Sequence, residues 1–188
     1  MTPLHEALED LARAFDGLHV DYMVMGGIAV RFWGVPRPTF DLDFTLALSQ
    51  DRVAAMLRGL EARGYTVPEY HESGFLDRLA GMQKCSVTRY AGGRELKVDL
   101  FLVTTAYQKA AFSRRVRKAI NDLQAWVISP EDLILHKLIA GRDRDLADIA
   151  DILLLMPDVD REYLRRWAGV LGVAQQLEKK LAEAADRR

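Results

Sequence analysis

The chain has 188 residues, with 26 lysines and arginines against 27 aspartates and glutamates, and a formal net charge of −1. That length buries one good core, as one domain or as a catalytic domain with a modest helical extension. The balanced charge excludes a whole-molecule electrostatic footprint for nucleic acid, so any RNA partner needs a local basic patch. A single cysteine, Cys85, excludes an internal disulfide and suits a reducing cytosol. Its plainest role is a small buried hydrophobe on a strand. Residues 1–10 are acidic and amphipathic, unlike a signal peptide, and apolar runs such as 152–156 are too short to span a bilayer. No membrane association and a cytoplasmic location are therefore expected.

Thr2 and Pro3 predict a capped helix start, and Leu4, Leu8, Leu11 and Phe15 recur at helical spacing until Gly17. Residues 20–25 read as a strand running straight into Gly26-Gly27, and 28–33 as the opening turns of a second helix stopped by Gly34 and Pro36. A strand is predicted over 41–48. Ser49 then opens a helix to about 64, with Val53, Met56, Leu57 and Leu60 on one face. Residues 65–81 carry no decisive pattern. Strands over 82–90 and 94–103 are joined by Ala91-Gly92-Gly93, a strong hairpin signal. A short helix after Thr104 leads to a second hairpin, 114–120 and 123–128, around Asn121-Asp122. From Ser129, Pro130, Glu131 and Asp132, a cap with proline at the first helical position and acids in the first turn, the remainder reads as helical. The expected fold is α/β of the α+β kind, a small mixed sheet flanked by helices, with a core over 1–128 and a helical C-terminal extension over 129–188 packed on it.

A strand turns successive side chains to opposite faces, so Asp41 and Asp43 project together while Leu42 and Phe44 enter the core. Two carboxylates that close repel and raise each other's pKa, an arrangement that a divalent cation neutralises. Mg²⁺, with Mn²⁺ as an alternative, is the natural ion, since it takes few carboxylates and completes its shell with water and phosphate oxygens. A third acid, Asp99, lies in the strand-like run 94–102. Gly26-Gly27, at a strand end where a helix starts, lets a phosphate approach the backbone without meeting a Cβ. Arg37 and Thr39 alternate in phase with the two aspartates, the arginine as a phosphate donor. Pro36 and Pro38 keep that stretch extended and off the centre of a sheet.

Met25-Gly26-Gly27, Arg37-Pro38-Thr39, Asp41-Leu42-Asp43 and Val98-Asp99-Leu100 together resemble the nucleotidyltransferase superfamily, with its Gly-Gly, Asp-x-Asp and later single Asp. The segments 129–140 and 142–151 resemble its AbiEii-type branch, which includes toxins of bacterial toxin–antitoxin pairs. The similarity covers roughly residues 20 to 155 and is most specific at the acids and the lysine. The resemblance implies Asp41 and Asp43 for metal, Asp99 for metal and as base, Lys137 for the triphosphate, and Asp145 or Asp148, with Asp148 preferred, as the helical acid. It also implies a nucleoside triphosphate (NTP) as substrate, an acceptor hydroxyl on RNA such as tRNA or on a protein, and a cognate antitoxin as partner. Antibiotic-modifying nucleotidyltransferases share the Gly-Gly and Asp-x-Asp core, so a small-molecule acceptor stays open. So does an inactive relative serving as binding partner or antitoxin, although the presence of all three acids counts against it.

Plainer roles compete at several positions. Asp41 and Asp43 can be solvent-facing residues of an amphipathic strand, Lys97 and Asp99 an exposed pair on one face, and Lys137 the solvated edge of a helix whose leucines face the core. His136 reads as structural, since no second histidine or cysteine stands at metal spacing. The run 142–145 reads as a surface turn or charge-laced helix start. Residues 114–118 form the densest basic stretch, a solvated surface or an RNA or triphosphate contact. Trp33, Trp126 and Trp167 read as core or boundary residues, since nothing pairs them into a stacking platform.

Overall fold

Among the described residues seven strands form one sheet: β1 (Asp21–Met25), β2 (Asp41–Ala47), β3 (Asp77–Leu79), β4 (Met82–Ala91), β5 (Arg94–Leu102), β6 (Val116–Ile120) and β7 (Leu123–Val127). The structure is a computed structural model that describes residues 2–72, 76–79, 81–120 and 123–187. The strand order is β3-β4-β5-β2-β1-β7-β6. β2 runs antiparallel to β1 and parallel to β5, and β7 runs parallel to β1, so the sheet is mixed. The two hairpins, β4 with β5 and β6 with β7, form its wings. The predicted turn Asn121-Asp122 lies outside the described residues.

With neighbours on both sides, β2 sorts its side chains strictly between two faces. Leu42, Phe44 and Leu46 are fully buried. Phe44 meets Phe15 of α1 (Pro3–Gly17) edge-on at 5.2 Å, and Tyr22 packs against both rings. That contact fixes α1 to one face of the sheet. Asp41 and Asp43 emerge on the other, where α2 (Gly26–Trp33) packs on β1 and β2 and is backed by α6 (Pro130–Ala140) and α7 (Asp143–Leu155). α8 (Arg161–Leu171) packs on α6, and α9 (Ala174–Asp186) on α7 and α8.

Local chemistry sets the helix ends that matter to the site. Thr2 accepts from the His5 amide and Ser129 from the Asp132 amide, each with proline at the next position, as the sequence predicts. Gly141 ends α6 at φ +65°, and the turn it permits folds α7 back along α6. α2 starts at Gly26 rather than at Ile28, because a glycine at φ +64° lets β1 pass directly into a helix. Helix α5 (Ala106–Ser113) is opened by Thr105, in a capping box with Gln108. The helix predicted from Ser49 is α3 (Gln50–Glu61), and the stretch without a decisive pattern holds the single turn α4 (Glu69–Glu72) and the short edge strand β3. Cys85 is buried in β4, and among the described residues no helix is long and apolar enough to cross a membrane.

Because Phe15 holds α1 against β2, Phe15→Ala is expected to cost about 3–5 kcal/mol. A urea melt checks this, with the transition midpoint falling at unchanged slope; a loss below about 1 kcal/mol contradicts the packing described.

Candidate active site

The strand register builds the site. Met25, Asp43 and Asp99 stand in one row across β1, β2 and β5, and Ser86 of β4 extends it. Asp41 faces Lys97 in the adjacent row. These acids open into a pocket of about 420 Å³ that is also lined by Gly26, Gly27, Arg37, Thr39 and Lys137. Of the residues singled out from the sequence, Asp148 alone stands behind the pocket wall, buried and reached through Lys137 and Arg37. The pocket gains three cations that the sequence reading gave no role there, Lys97, Arg142 and Arg144. A signal for the arginines was present: a glycine stop just after Lys137 returns the chain to the end of α6 that carries the lysine.

Asp43 is the least comfortable of the three acids. Its burial, and then the charges of Asp99 and Asp41, push its carboxyl up to about 6, against the opposing pull of Arg142 and Lys137. Asp99 goes the other way. Burial works against its charge, but Ser86 Oγ at 2.5 Å and the ammonium groups of Lys84 and Lys97, each at 3.1 Å, outweigh that and hold it below the usual carboxylate range. The predicted pairing of Lys97 with Asp99 is therefore present, inside the site rather than in place of it. Excess negative charge rests on Asp41 and Asp43.

Among the described residues no group of three or more acids, histidines or cysteines is arranged to hold a metal ion. The two free carboxylates nonetheless fit Mg²⁺ in its ordinary manner, with one or two protein oxygens and the remaining positions given to water and substrate phosphates. What fits them is the uncompensated charge of Asp43 at the floor of an open pocket.

The paired glycines serve this geometry. A Cβ on Gly26 would overlap the Asp43 carboxylate, and one on Gly27 would overlap the Thr39 hydroxyl. The space that the sequence reading left for a phosphate is thus taken by the site's own side chains, which come this close to the start of α2 only because no Cβ intervenes.

Lys137 departs furthest from its expected place. It is not a solvated helix edge: it lines the pocket with a side chain only 5% exposed, and its ammonium donates to Asp145 Oδ1 at 3.1 Å and to Asp148 Oδ2. Asp145 in turn binds Arg142 Nε at 2.6 Å, and Asp148 takes a bidentate pair from Arg37 at 2.7 Å and 2.7 Å. The result is a ladder of alternating charge, Arg37, Asp148, Lys137, Asp145, Arg142, whose buried middle lies between α6 and α7 and whose two ends are guanidinium groups on the pocket wall. Both candidate helical acids belong to it. Burial alone would raise the two carboxyls, but the Arg142 and Lys137 partners of Asp145, and the Arg37 and Lys137 partners of Asp148, hold both below the usual range.

Of the remaining candidates, His136 also lines the pocket and the others lie elsewhere. Arg114 ion-pairs with Glu131 at 3.0 Å and lies over Tyr163, Arg115 stacks on Phe112 and Trp126, and Lys118 sits over Trp33, so the basic run 114–118 is absorbed in packing. His136 is buried beside Tyr107, and burial pushes its ring down to about 4. Trp33 is buried and donates to the Ile128 carbonyl.

A mixed sheet carrying Asp-x-Asp on a central strand and a third aspartate in register beside it, with helices behind, is a nucleotidyltransferase fold. The chain belongs to the family described as "Nucleotidyltransferase of unknown function (DUF6036)", which matches residues 2–181. No curated protein matches the sequence. An antigenic nucleotidyltransferase-like protein from Paracoccidioides brasiliensis is 18% identical, with a TM-score of 0.57 over 96% of this chain and 92% of that one. The antibiotic-resistance factor ANT(2'')-Ia is 14% identical, with a TM-score of 0.56 over 98% and 96% of the two chains. The lincosamide antibiotic adenylyltransferase LnuA, solved with lincomycin, is 15% identical, with a TM-score of 0.52 over 80% of this chain and 97% of that one. These likenesses establish the fold.

Removing the ladder's centre leaves two buried carboxylates without their shared cation. Lys137→Met is expected to cost about 3–5 kcal/mol at pH 7. In the native protein the two aspartates have depressed pKa values, so their contribution is full above the unfolded value of about 4 and is lost as pH falls through the folded values. The variant loses that contribution, so the difference between the two proteins should hold steady from pH 8 down to about pH 4 and narrow below it. Urea melts from pH 2 to pH 8 check this, and a difference that does not narrow below pH 4 contradicts it.

Proposed function

We propose that the protein moves a nucleoside monophosphate from an NTP to a hydroxyl acceptor, in a reaction that depends on Mg²⁺ or Mn²⁺. The observation that carries this reading is the row of Asp43 and Asp99 with Asp41 on the same face, at the floor of a pocket walled by arginines. Asp41 and Asp43 would hold the cation, with Asp99 beside them. When bound, it supplies charge neutralisation between the triphosphate and the attacking oxygen. Arg142 and Arg144, with Arg37 across the pocket, face the triphosphate and offset charge that spreads onto its oxygens as the bond to the leaving group breaks.

The acceptor oxygen bonds to the α-phosphorus, the bond to the bridging oxygen breaks, and pyrophosphate leaves with that electron pair. Asp99 takes the hydroxyl proton. In the resting site its lysine partners make it a weak base, but Lys97 is half exposed and free to swing toward a phosphate. Once Lys97 leaves, one of the charges that holds the Asp99 pKa down is gone, and proton uptake there becomes easier. Substrate binding then primes the base. Lys137 acts through its neighbours, by fixing where Arg37 and Arg142 point.

RNA such as tRNA, or a protein, is the acceptor class that the AbiEii-type resemblance favours, in a cytoplasmic toxin restrained by a cognate antitoxin. A second reading, transfer to a small-molecule antibiotic, draws on the fold shared with LnuA and ANT(2'')-Ia. Incubation with Mg²⁺, each of the four labelled triphosphates and total cellular RNA, protein and small molecules tests the reaction. Asp43→Asn is expected to fold and to lose transfer by at least about 10²-fold, the scale for removing one preorganised charged group from a site. Unchanged turnover in that variant would sink the proposal.

A further inference from the structure

A second and larger hollow, of about 940 Å³, adjoins the catalytic pocket and shares a wall with it. Arg37, Pro38, Thr39 and Phe40 line both, so an occupant of the hollow reaches the edge of the site where Asp41 stands. We propose that this groove, bounded by the start of α1, the segment 36–40 and the turn of the β4–β5 hairpin, is the acceptor subsite and takes the 3′ end of a single-stranded nucleic acid. The proposal rests on the nucleotidyltransferase reading above, and it selects among the acceptors that reading leaves open.

Charge is the first reason. On a chain with a net charge of −1, this groove gathers Arg31, Arg37 and Arg94 against one lining acid, Glu95, and because Asp148 already meets the Arg37 charge, Arg31 and Arg94 are the two that face an occupant. Arg31 donates to His5 Nε2 at 2.8 Å, and Arg94 lies over the Phe40 ring at 5.7 Å, so neither of these contacts uses a carboxylate. Burial, with the adjacent Arg31 charge, holds the His5 ring below its ordinary pKa, so the ring is neutral near pH 7 and leaves the guanidinium charge uncompensated. The amino-terminal end of the long helix α1 opens into the same groove and adds its dipole. Evenly spaced phosphates match such a lining.

The aromatic wall is the second reason. Phe40 is 64% exposed at the junction of the two pockets, a costly place for a large apolar ring unless something covers it. It is held by the flanking extended segment with Pro36 and Pro38, and one side of it carries Arg94. A base stacked there, with phosphates on the arginines, is the way single strands are bound without sequence readout. A terminal base stacked at this junction would stand on the wall shared with the pocket that Asp41 and Asp43 line. An aminoglycoside, being polycationic, would be repelled by the same lining. That separates this chain from ANT(2'')-Ia, solved in complex with adenylyl-2''-tobramycin.

Fluorescence anisotropy with labelled single-stranded RNA and DNA oligonucleotides tests the groove without needing turnover, and triphosphate transfer is measured on the same preparations. Native protein should bind both strands with affinity that falls with salt. Arg31→Gln with Arg94→Gln should lower the slope of log affinity against log salt by about 0.7 for each phosphate that is no longer neutralised. Phe40→Ala should weaken binding roughly tenfold, with Phe40→Tyr retaining it. A preference for RNA identifies the 2′-hydroxyl strand as the source. Binding that is unaffected by all of these changes overturns the placement. Label moved to protein or to a small molecule, with no oligonucleotide retained, overturns the proposal while the transferase reading stands. No triphosphate bound and no label moved removes that reading, and the acceptor subsite with it.

Discussion

The ammonium of Lys137, held between Asp145 and Asp148, is the interaction on which the mouth of the site depends. A buried lysine is stable only when its charge is matched, and here two carboxylates match it from the next helix. Those carboxylates carry one formal charge more than the lysine, and Arg37 and Arg142 more than offset it from opposite sides, leaving the ladder one positive charge in excess. Each guanidinium is thereby fixed at a known point on the pocket wall. The ladder also joins the segment before β2 to α6 and α7, so the placement of the catalytic strand and the docking of the C-terminal helices are one electrostatic problem.

The sheet poses the opposite problem. Register sets Asp43 directly beside Asp99 on parallel strands, where like charges destabilise. The molecule relieves one acid and leaves the other strained: Ser86, Lys84 and Lys97 gather on Asp99, while Asp43 remains half-buried with its pKa raised to about 6. Local rules broken in this way tend to mark function, because ordinary packing would have removed the second carboxylate. The charge that Asp43 lacks is the one a divalent cation would bring.

Much of this was legible in the sequence. Alternation along 41–44 told which aspartates share a face, and strand pairing then confirmed that Leu42 and Phe44 face α1. Caps at Thr2 and Ser129 and the glycine turn of the β4–β5 hairpin read correctly because each is chemistry confined to a few residues. The environment of Lys137 did not read correctly. Its partners lie 8 and 11 positions away on another helix, and an amphipathic pattern cannot tell a lysine facing solvent from one facing a pair of buried acids. For the same reason Arg142, which resembled part of a surface turn, proved to be an end of the ladder. The basic run 114–118 failed in the opposite sense: its charges are drawn onto Trp33, Trp126 and Tyr163, aromatic partners distant in sequence or on the facing strand.

The central claim is that Asp41 and Asp43 hold a divalent cation for a bound triphosphate. Anomalous scattering from crystals grown with Mn²⁺ and a non-hydrolysable NTP analogue tests it most directly. An anomalous peak bridging the Asp41 and Asp43 carboxylates and the analogue's phosphates, with the phosphates reaching toward Arg142, is the expected result. A peak away from both aspartates, or an analogue bound in the pocket with no metal between it and Asp43, would contradict it.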